Sequence, residues 1–180
     1  MLSCTIFENI KTDINAAEKL FLVNKIKIFF SNRGFHALLY YRIANKFYRW
    51  RIPVLPLVLT RIIQILYAID IDYRAKLSGG VVIVHGVGLV IGSGVQINSN
   101  VILFHGVTLG RRGIGSVISK TDGFPIIEEN CIICTGSKVL GKITIGHDTI
   151  IGANCVITNN IAANSICKLP DDHFVVYNKL

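Results

Sequence analysis

Acidic residues are missing from a long stretch near the start of this 180-residue chain. Nine lysines and arginines, but no aspartate or glutamate, occur between Lys19 and Ile69, and the whole chain carries a formal net charge of +8. A basic segment of this kind can meet nucleic acid, an anionic membrane or a phosphorylated substrate. No motif for DNA or RNA recognition accompanies it, so nucleic acid is not an expected partner.

Long apolar runs and secretory features are also missing. The apolar stretch Ile52–Ile71 is interrupted by prolines and polar residues, and a membrane span needs about 18 uninterrupted apolar residues. The first residues carry early acids, unlike a signal peptide. The chain has an odd number of cysteines, five, which does not suggest a framework of disulfide bonds. The single C-x-x-C pair, Cys131 and Cys134, has no histidine at zinc-ligand spacing, so we expect these side chains to pack in the core. We therefore expect a cytoplasmic protein, and a contact with the inner face of the membrane stays open.

Two kinds of periodicity divide the chain. Residues 1–75 place apolar side chains at spacings of three and four, which predicts an α-helical N-terminal segment for oligomerisation or membrane-surface docking. Residues 76–167 repeat aliphatic side chains every six positions, for example at Ile91, Ile97 and Leu103. A loop at about 110–126 interrupts this repeat, and residues 168–180 form a C-terminal tail.

The six-residue period fits neither an α-helix nor a simple strand. It is typical of a hexapeptide solenoid, in which three short strands make one triangular coil of about 18 residues. The predicted fold is therefore mainly β, a left-handed parallel β-helix of hexapeptide repeats preceded by an α-helical segment.

Two histidines fall on one predicted corner of this solenoid. His85 and His105 each take the third place of a hexad, and they are separated by one coil plus a two-residue irregularity. Adjacent strands lie about 4.8 Å apart, so the two rings should be neighbours. Two close imidazoles disfavour double protonation, and a neutral imidazole can act as a general base. Two stacked surface histidines are the alternative interpretation. His147 falls on a different corner.

Four segments carry a resemblance to a known family: GFHALLYYRIANKFYRW, VHGVGLVIG, HGVTLG and IGANCVITNNI. Together they resemble the serine acetyltransferase branch of the hexapeptide-repeat acyltransferases, and they look closest to its colanic-acid and capsular polysaccharide O-acetyltransferases. The resemblance implies acetyl-CoA as co-substrate, no metal, and a homotrimer or dimer of trimers with active sites at the subunit interfaces. It implies that His85 activates the acceptor hydroxyl and that the backbone of Gly110, Thr135 and Ala153 contacts the cofactor.

Three places depart from the serine acetyltransferase pattern. Val84 stands where that branch has an aspartate, Phe124 stands where it has a serine-binding histidine, and its helical carboxylate has no clear counterpart in NAAEKLFLVN. These differences favour a carbohydrate hydroxyl as acceptor, with His105 as an additional polar contact. We therefore expect O-acetylation of a cell-surface polysaccharide or its sugar precursor, by direct attack and without an acyl-enzyme. The alternative is a small-molecule acceptor, as in a serine O-acetyltransferase of cysteine biosynthesis.

Two other functions are compatible with the same solenoid fold. A zinc enzyme of the carbonic anhydrase kind needs three converging histidines, whereas only two share a corner here. A non-catalytic scaffold would use the solenoid for assembly and the basic helices for membrane binding, and the histidine pair argues against it.

Overall fold

The computed structural model describes residues 5–113 and 123–170. Its first part is helical, in agreement with the spacing of apolar residues. The four helices are α1 (Ile6–Phe21), α2 (Lys25–Ser31), α3 (Arg33–Arg49) and α4 (Leu55–Tyr67).

Polar side chains fix where the first three helices begin. Thr5 and Glu8 form a reciprocal capping box at the start of α1, with the Thr5 amide donating to Glu8 Oε2 at 2.7 Å. Asn24 and Asn32 accept hydrogen bonds from the amides of Lys27 and Phe35, at 2.9 and 2.8 Å. Each cap satisfies a backbone donor that has no partner within its helix.

Short parallel strands follow the helices. They are β1 (Asp70–Ile71), β2 (Lys76–Leu77), β3 (Val82–Val84), β4 (Val90–Ile91), β5 (Gln96–Ile97), β6 (Ile102–Phe104), β7 (Thr108–Gly110), β8 (Ile126–Ile127), β9 (Ile132–Ile133), β10 (Lys138–Leu140), β11 (Thr144–Ile145), β12 (Ile150–Ile151), β13 (Val156–Ile157) and β14 (Ile166–Cys167).

These strands form the three faces of a solenoid. Sheet A has the order β1-β4-β7-β10-β13, sheet B has β11-β8-β5-β2, and sheet C has β14-β12-β9-β6-β3. Pairing in register stacks the aliphatic residue of each hexad on that of the next coil, as with Ile91, Leu109 and Val139 in sheet A. All three are buried. The predicted fold, a hexapeptide-repeat β-helix after a helical segment, is confirmed.

A buried ion pair joins the helices to the first coil. Arg42 of α3 contacts Asp13 of α1 at 3.1 Å, and both side chains are buried. Asp13 also accepts from the amides of Gly80 (2.8 Å) and Val81 (3.2 Å), and Arg42 donates to the carbonyl of Ser78 at 2.6 Å. Burial raises the pKa of the Asp13 carboxyl above its ordinary value, and Arg42 opposes that shift. The Asp13 and Arg42 charges are therefore stabilised in the buried position by each other and by these hydrogen bonds.

Some sequence-based boundaries look different in the structure. The first strand, β1, lies ahead of the predicted boundary at residue 76. Most of the predicted loop at 110–126 and most of the C-terminal tail lie outside the described residues. No helix in the described part of the chain is long and apolar enough to cross a membrane.

Candidate active site

His85 and His105 lie on the same corner of the solenoid. They directly follow β3 and β6, which pair in parallel register. The two imidazole rings approach edge to face, with centroids 5.8 Å apart and planes at 70°. The spacing of the two histidines in the sequence thus brings them into contact.

The backbone at His85 takes an uncommon conformation. The amide of Gly86 donates to the carbonyl of Val84 at 2.8 Å, which closes a three-residue turn around His85. His85 has a φ of 63°, and a γ-turn with positive φ at its centre is rare and strained. The turn absorbs the two-residue irregularity and presents the imidazole to solvent. Strain of this kind concentrates at functional sites because surrounding structure must hold it.

His105 carries an unused hydrogen-bonding atom. Its side chain is half-buried, and its Nδ1 is buried without a hydrogen-bond partner. Buried polar atoms are nearly always satisfied in folded proteins, so an exception calls for an explanation such as a ligand or a catalytic role. The exception here belongs to the ring that touches His85.

Two of the three predicted cofactor residues continue the histidine corner. The amide of Gly136, next to Thr135, donates to the carbonyl of His105 at 3.0 Å, and the amide of Asn154, next to Ala153, donates to the carbonyl of Thr135 at 2.8 Å. Thr135 and Ala153 therefore stack on the coils beyond the histidines.

Gly110 lies apart from that corner, at the far end of β7 in sheet A. A methyl group added to its Cα would meet no other atom within 4 Å. Small residues at the corner and open space at Gly110 fit the thin, extended arm of acetyl-CoA.

Lys138 lies beside the histidine corner, a position that sequence reasoning missed. Its Nζ donates to the carbonyls of Gly106 (2.5 Å) and Gly136 (3.0 Å), which follow His105 and Thr135 directly. An ammonium group has three donors, so one remains beside the histidine corner. The motif SKVLG gave no signal for this position, because the contact depends on the stacking of two neighbouring coils.

Asn15 of α1 carries a second unpartnered atom that sequence reasoning missed. Its Oδ1 is buried without a hydrogen-bond partner, and the residue lines a cavity of about 680 Å³ between α1 and sheet C. It belongs to NAAEKLFLVN, the segment in which no counterpart of the family carboxylate could be identified.

The four cysteines that the structure describes contribute no nucleophile to the histidine corner. Cys131 and Cys155 are buried, as the hexad positions predict. Burial raises the pKa of the Cys131, Cys134 and Cys167 thiols above the ordinary value. These thiols are therefore protonated at neutral pH and react slowly, which is consistent with direct transfer.

The remaining described histidines lie elsewhere. His147 is half-exposed on another corner, and a hydrogen bond with Asp148, at 2.7 Å from its Nδ1, raises its pKa. His36 joins two helices: its Nε2 donates to the carbonyl of Phe29 at 2.7 Å, and its Nδ1 lies 3.0 Å from the Tyr67 hydroxyl. Within residues 5–113 and 123–170, no three potential ligands are grouped to hold a metal ion.

The two apolar residues that favoured a carbohydrate acceptor have packing roles. Val84 is 8% exposed and packs in a hydrophobic cluster with Phe35 of α3 and Ala17 of α1. The ring of Phe124 covers the backbone of Gly92 and Gly94, where a Cβ on Gly92 would come within 2.9 Å of the ring. Their apolar character is thus explained by packing on the helices and on the solenoid.

Comparison with known proteins identifies close relatives. Residues 124–159 match the bacterial transferase hexapeptide (six repeats) family. The serine acetyltransferase of Helicobacter pylori is 35% identical over 142 residues, which cover 79% of this chain and 81% of that protein.

Solved structures agree in fold over most of the chain. Serine acetyltransferase 1 of Entamoeba histolytica, in complex with L-cysteine, has a TM-score of 0.83 at 31% identity and covers 91% of this chain. A serine acetyltransferase in complex with CoA has a TM-score of 0.81 at 28% identity and covers 89% of this chain. This chain spans 63% and 66% of those two longer chains.

The prediction of a polysaccharide O-acetyltransferase is therefore wrong. The relatives and the structural neighbours are serine acetyltransferases, and none of these comparisons points to a carbohydrate acceptor. The error came from taking the absence of polar side chains at Val84 and Phe124 as evidence against serine, whereas both side chains are engaged in packing.

The coarser predictions are confirmed. The chain is an acyltransferase, and its co-substrate is acetyl-CoA, in agreement with the CoA-bound neighbour. The similarity to the Helicobacter pylori enzyme extends over four fifths of that protein and includes both the helical segment and the solenoid. The chain belongs to the serine acetyltransferase family.

Proposed function

We propose that this protein transfers the acetyl group of acetyl-CoA to the side-chain hydroxyl of serine. The observation that carries the proposal is the exposed His85 imidazole, held on a strained turn against a second histidine that has an unpartnered buried nitrogen. The relatives named above support serine as the acceptor.

His85 is the general base of the proposed reaction. Acetyl-CoA supplies the acetyl group as a thioester. The His85 imidazole accepts the proton of the serine hydroxyl, and the hydroxyl oxygen forms the new ester bond as the carbon–sulfur bond breaks. The imidazolium then returns its proton to the thiolate that leaves, so that protons balance without an acyl-enzyme.

His105 positions His85 and contacts the acceptor. Val84 provides no carboxylate to orient the neighbouring imidazole, and its side chain is buried beneath the helices. The ring of His105 lies against that of His85 and restricts its rotation. The unpartnered Nδ1 of His105 is available for a polar group of the acceptor.

The proposal includes a homotrimer. Hexapeptide-repeat enzymes typically use neighbouring solenoids to complete their sites, and the histidine corner and Gly110 would then border the groove between subunits. Thr135 and Ala153 line that groove on the side of the histidines.

The first test is an assay of CoA release from acetyl-CoA with L-serine, with mass detection of O-acetylserine. L-Alanine, which lacks the hydroxyl, is the blank acceptor. Loss of a general base typically costs about 10²–10⁴-fold in rate, so we expect His85→Ala to lower kcat by that amount. His147→Ala, on another corner, is the matched control and should keep the wild-type rate.

His105 requires a separate measurement. We expect His105→Gln to raise KM for serine more than it lowers kcat, because an amide can still donate and accept hydrogen bonds. Release of CoA that is no faster with serine than with alanine would overturn the choice of acceptor. Full activity of His85→Ala would overturn the choice of base.

A further inference from the structure

Helix α4 is apolar on both of its sides. Its inward side buries Pro56, Thr60 and Ile63. Its outward side also carries aliphatic residues, and Ile65 is 82% exposed. Aliphatic side chains grouped on an exposed surface often mark a contact with a partner, and the outward side of α4, which also carries Arg61, has no such contact among the residues that the structure describes.

Helix α2 also exposes apolar side chains, and they are grouped on one side of the helix. It buries only Ile28, whereas Ile26, Phe29 and Phe30 are exposed. At about 100° per residue these three side chains share one sector of the helix, and Lys25 and Lys27 lie on its two flanks. This arrangement is typical of helices that lie in a membrane interface, where lysine stems extend past the apolar sector toward the headgroups.

His36 connects the two helices at their C-terminal ends. It contacts the carbonyl of Phe29 in α2 and the hydroxyl of Tyr67 in α4. We call the exposed apolar side chains of the two helices the α2–α4 surface. It consists of Ile26, Phe29, Phe30, Leu57, Val58, Ile65 and Leu66.

The charge around the α2–α4 surface decides between possible partners. Both helices lie in the stretch from Lys19 to Ile69, which contains no acidic residue. A second copy of this surface would bring lysines and arginines against lysines and arginines, which disfavours association. An anionic lipid surface offers apolar contact and the opposite charge together.

We propose that the α2–α4 surface docks the protein on membranes that contain anionic lipids. The exposed aromatic and aliphatic side chains enter the headgroup region, while Lys27 and Arg61 contact the lipid phosphates. Lys25 lies 3.5 Å from Glu18 of α1, which offsets its charge. Binding is peripheral and reversible, because both elements are short. The docking is independent of the acceptor and does not rest on the proposed function.

Vesicle flotation of the full-length protein tests this inference. One set of vesicles contains phosphatidylcholine alone, and the other contains an equal mixture of phosphatidylcholine and phosphatidylglycerol. We expect flotation with the mixed vesicles only, and weaker flotation as salt is raised. Equal flotation with both vesicles, or with neither, would overturn the proposal.

Paired variants locate the binding surface. Phe30→Ser combined with Ile65→Ser should reduce vesicle partitioning by about tenfold or more. Val90→Ser combined with Val156→Ser removes two exposed apolar side chains from sheet A of the solenoid and should leave partitioning unchanged. Lys27→Gln combined with Arg61→Gln should cost about fivefold per charge.

Sedimentation velocity of the same variants tests the rival partner. If Phe30→Ser combined with Ile65→Ser halves the native mass, a second copy covers this surface and the lipid proposal fails. An unchanged mass together with lost flotation supports lipid docking.

Discussion

At the scale of single residues, His85 occupies a backbone conformation that other residue types adopt more readily. Elsewhere on the solenoid, positive φ falls on asparagine, aspartate or glycine, as at Asn100 and Asn154. These residues tolerate the left-handed region because they are small or hydrogen-bond locally. A histidine in this place adds no benefit to the turn, which supports the proposed role of its imidazole in catalysis.

We therefore predict that His85→Asn separates stability from activity. Asparagine relieves the turn, so the melting temperature should stay constant or rise by about 1–3 °C. The rate of acetyl transfer should fall about 10²–10⁴-fold, because the general base is gone. Differential scanning calorimetry and the CoA-release assay measure the two effects. A stable variant that retains its rate would show that the turn, and not the imidazole, is what matters.

Gly110 provides a second test at this scale. Because a Cβ there would meet no atom within 4 Å, Gly110→Ala should leave the melting temperature unchanged. If acetyl-CoA lies against this residue, the added methyl group should raise KM for acetyl-CoA several-fold with little change in KM for serine. Initial-rate kinetics with each substrate varied in turn separate these constants. An unchanged KM for acetyl-CoA would place the cofactor elsewhere.

At the scale of elements, the contact between α3 and β3 positions the histidine corner. Gly34 lies in the first turn of α3 and packs against Ile83, two residues before His85. Gly34 thus lies inside a helix, where glycine is normally unfavourable. Glycine is needed there because the helix and strand backbones approach closely.

Gly34→Ala should therefore destabilise the protein even though alanine favours helices. A Cβ at this position would overlap the carbonyl oxygen of Ile83 and lie 2.9 Å from its Cβ. Overpacking of this kind costs about 1–3 kcal/mol, which exceeds the gain of about 0.5–1 kcal/mol in helix propensity. Thermal denaturation should show a fall of several degrees, with Gly110→Ala as the matched control. A rise in melting temperature would mean that the backbones separate without cost.

Sequence periodicity predicted the elements better than it predicted the site. The repeat of six located the strands, and the separation of His85 and His105 by one coil plus two residues placed the rings together. The unpartnered Nδ1 of His105 and the contacts of Lys138 with backbone carbonyls were not predictable, because they depend on how neighbouring coils stack in three dimensions. The acceptor was wrongly predicted because an apolar residue at a motif position, such as Val84, can serve packing instead of ligand binding.

At the scale of the whole molecule, the three faces of the solenoid differ in their outward side chains. Sheet C carries a column of isoleucines in register: Ile102, Ile132, Ile150 and Ile166. The corresponding column of sheet B begins with the exposed Lys76 and Gln96. An apolar face on a parallel solenoid stays exposed unless another chain covers it. Sheet C is therefore the face that we expect at the interface of the proposed trimer.

Ile132→Glu tests this assignment. The new carboxylate would lie in the middle of the isoleucine column, where an apolar interface would have to bury it without a partner. We expect sedimentation equilibrium to give the mass of three copies for the wild type and of one copy for the variant, with acetyl transfer lost at the same time. Gln96→Glu introduces the same charge on sheet B and should preserve both the mass and the rate. If the variant remains trimeric, the interface lies on another face of the solenoid. A wild-type mass of six copies would mean that two trimers also contact each other. Because the site residues lie on corners that the neighbouring solenoid must complete, loss of the trimer and loss of activity should occur together.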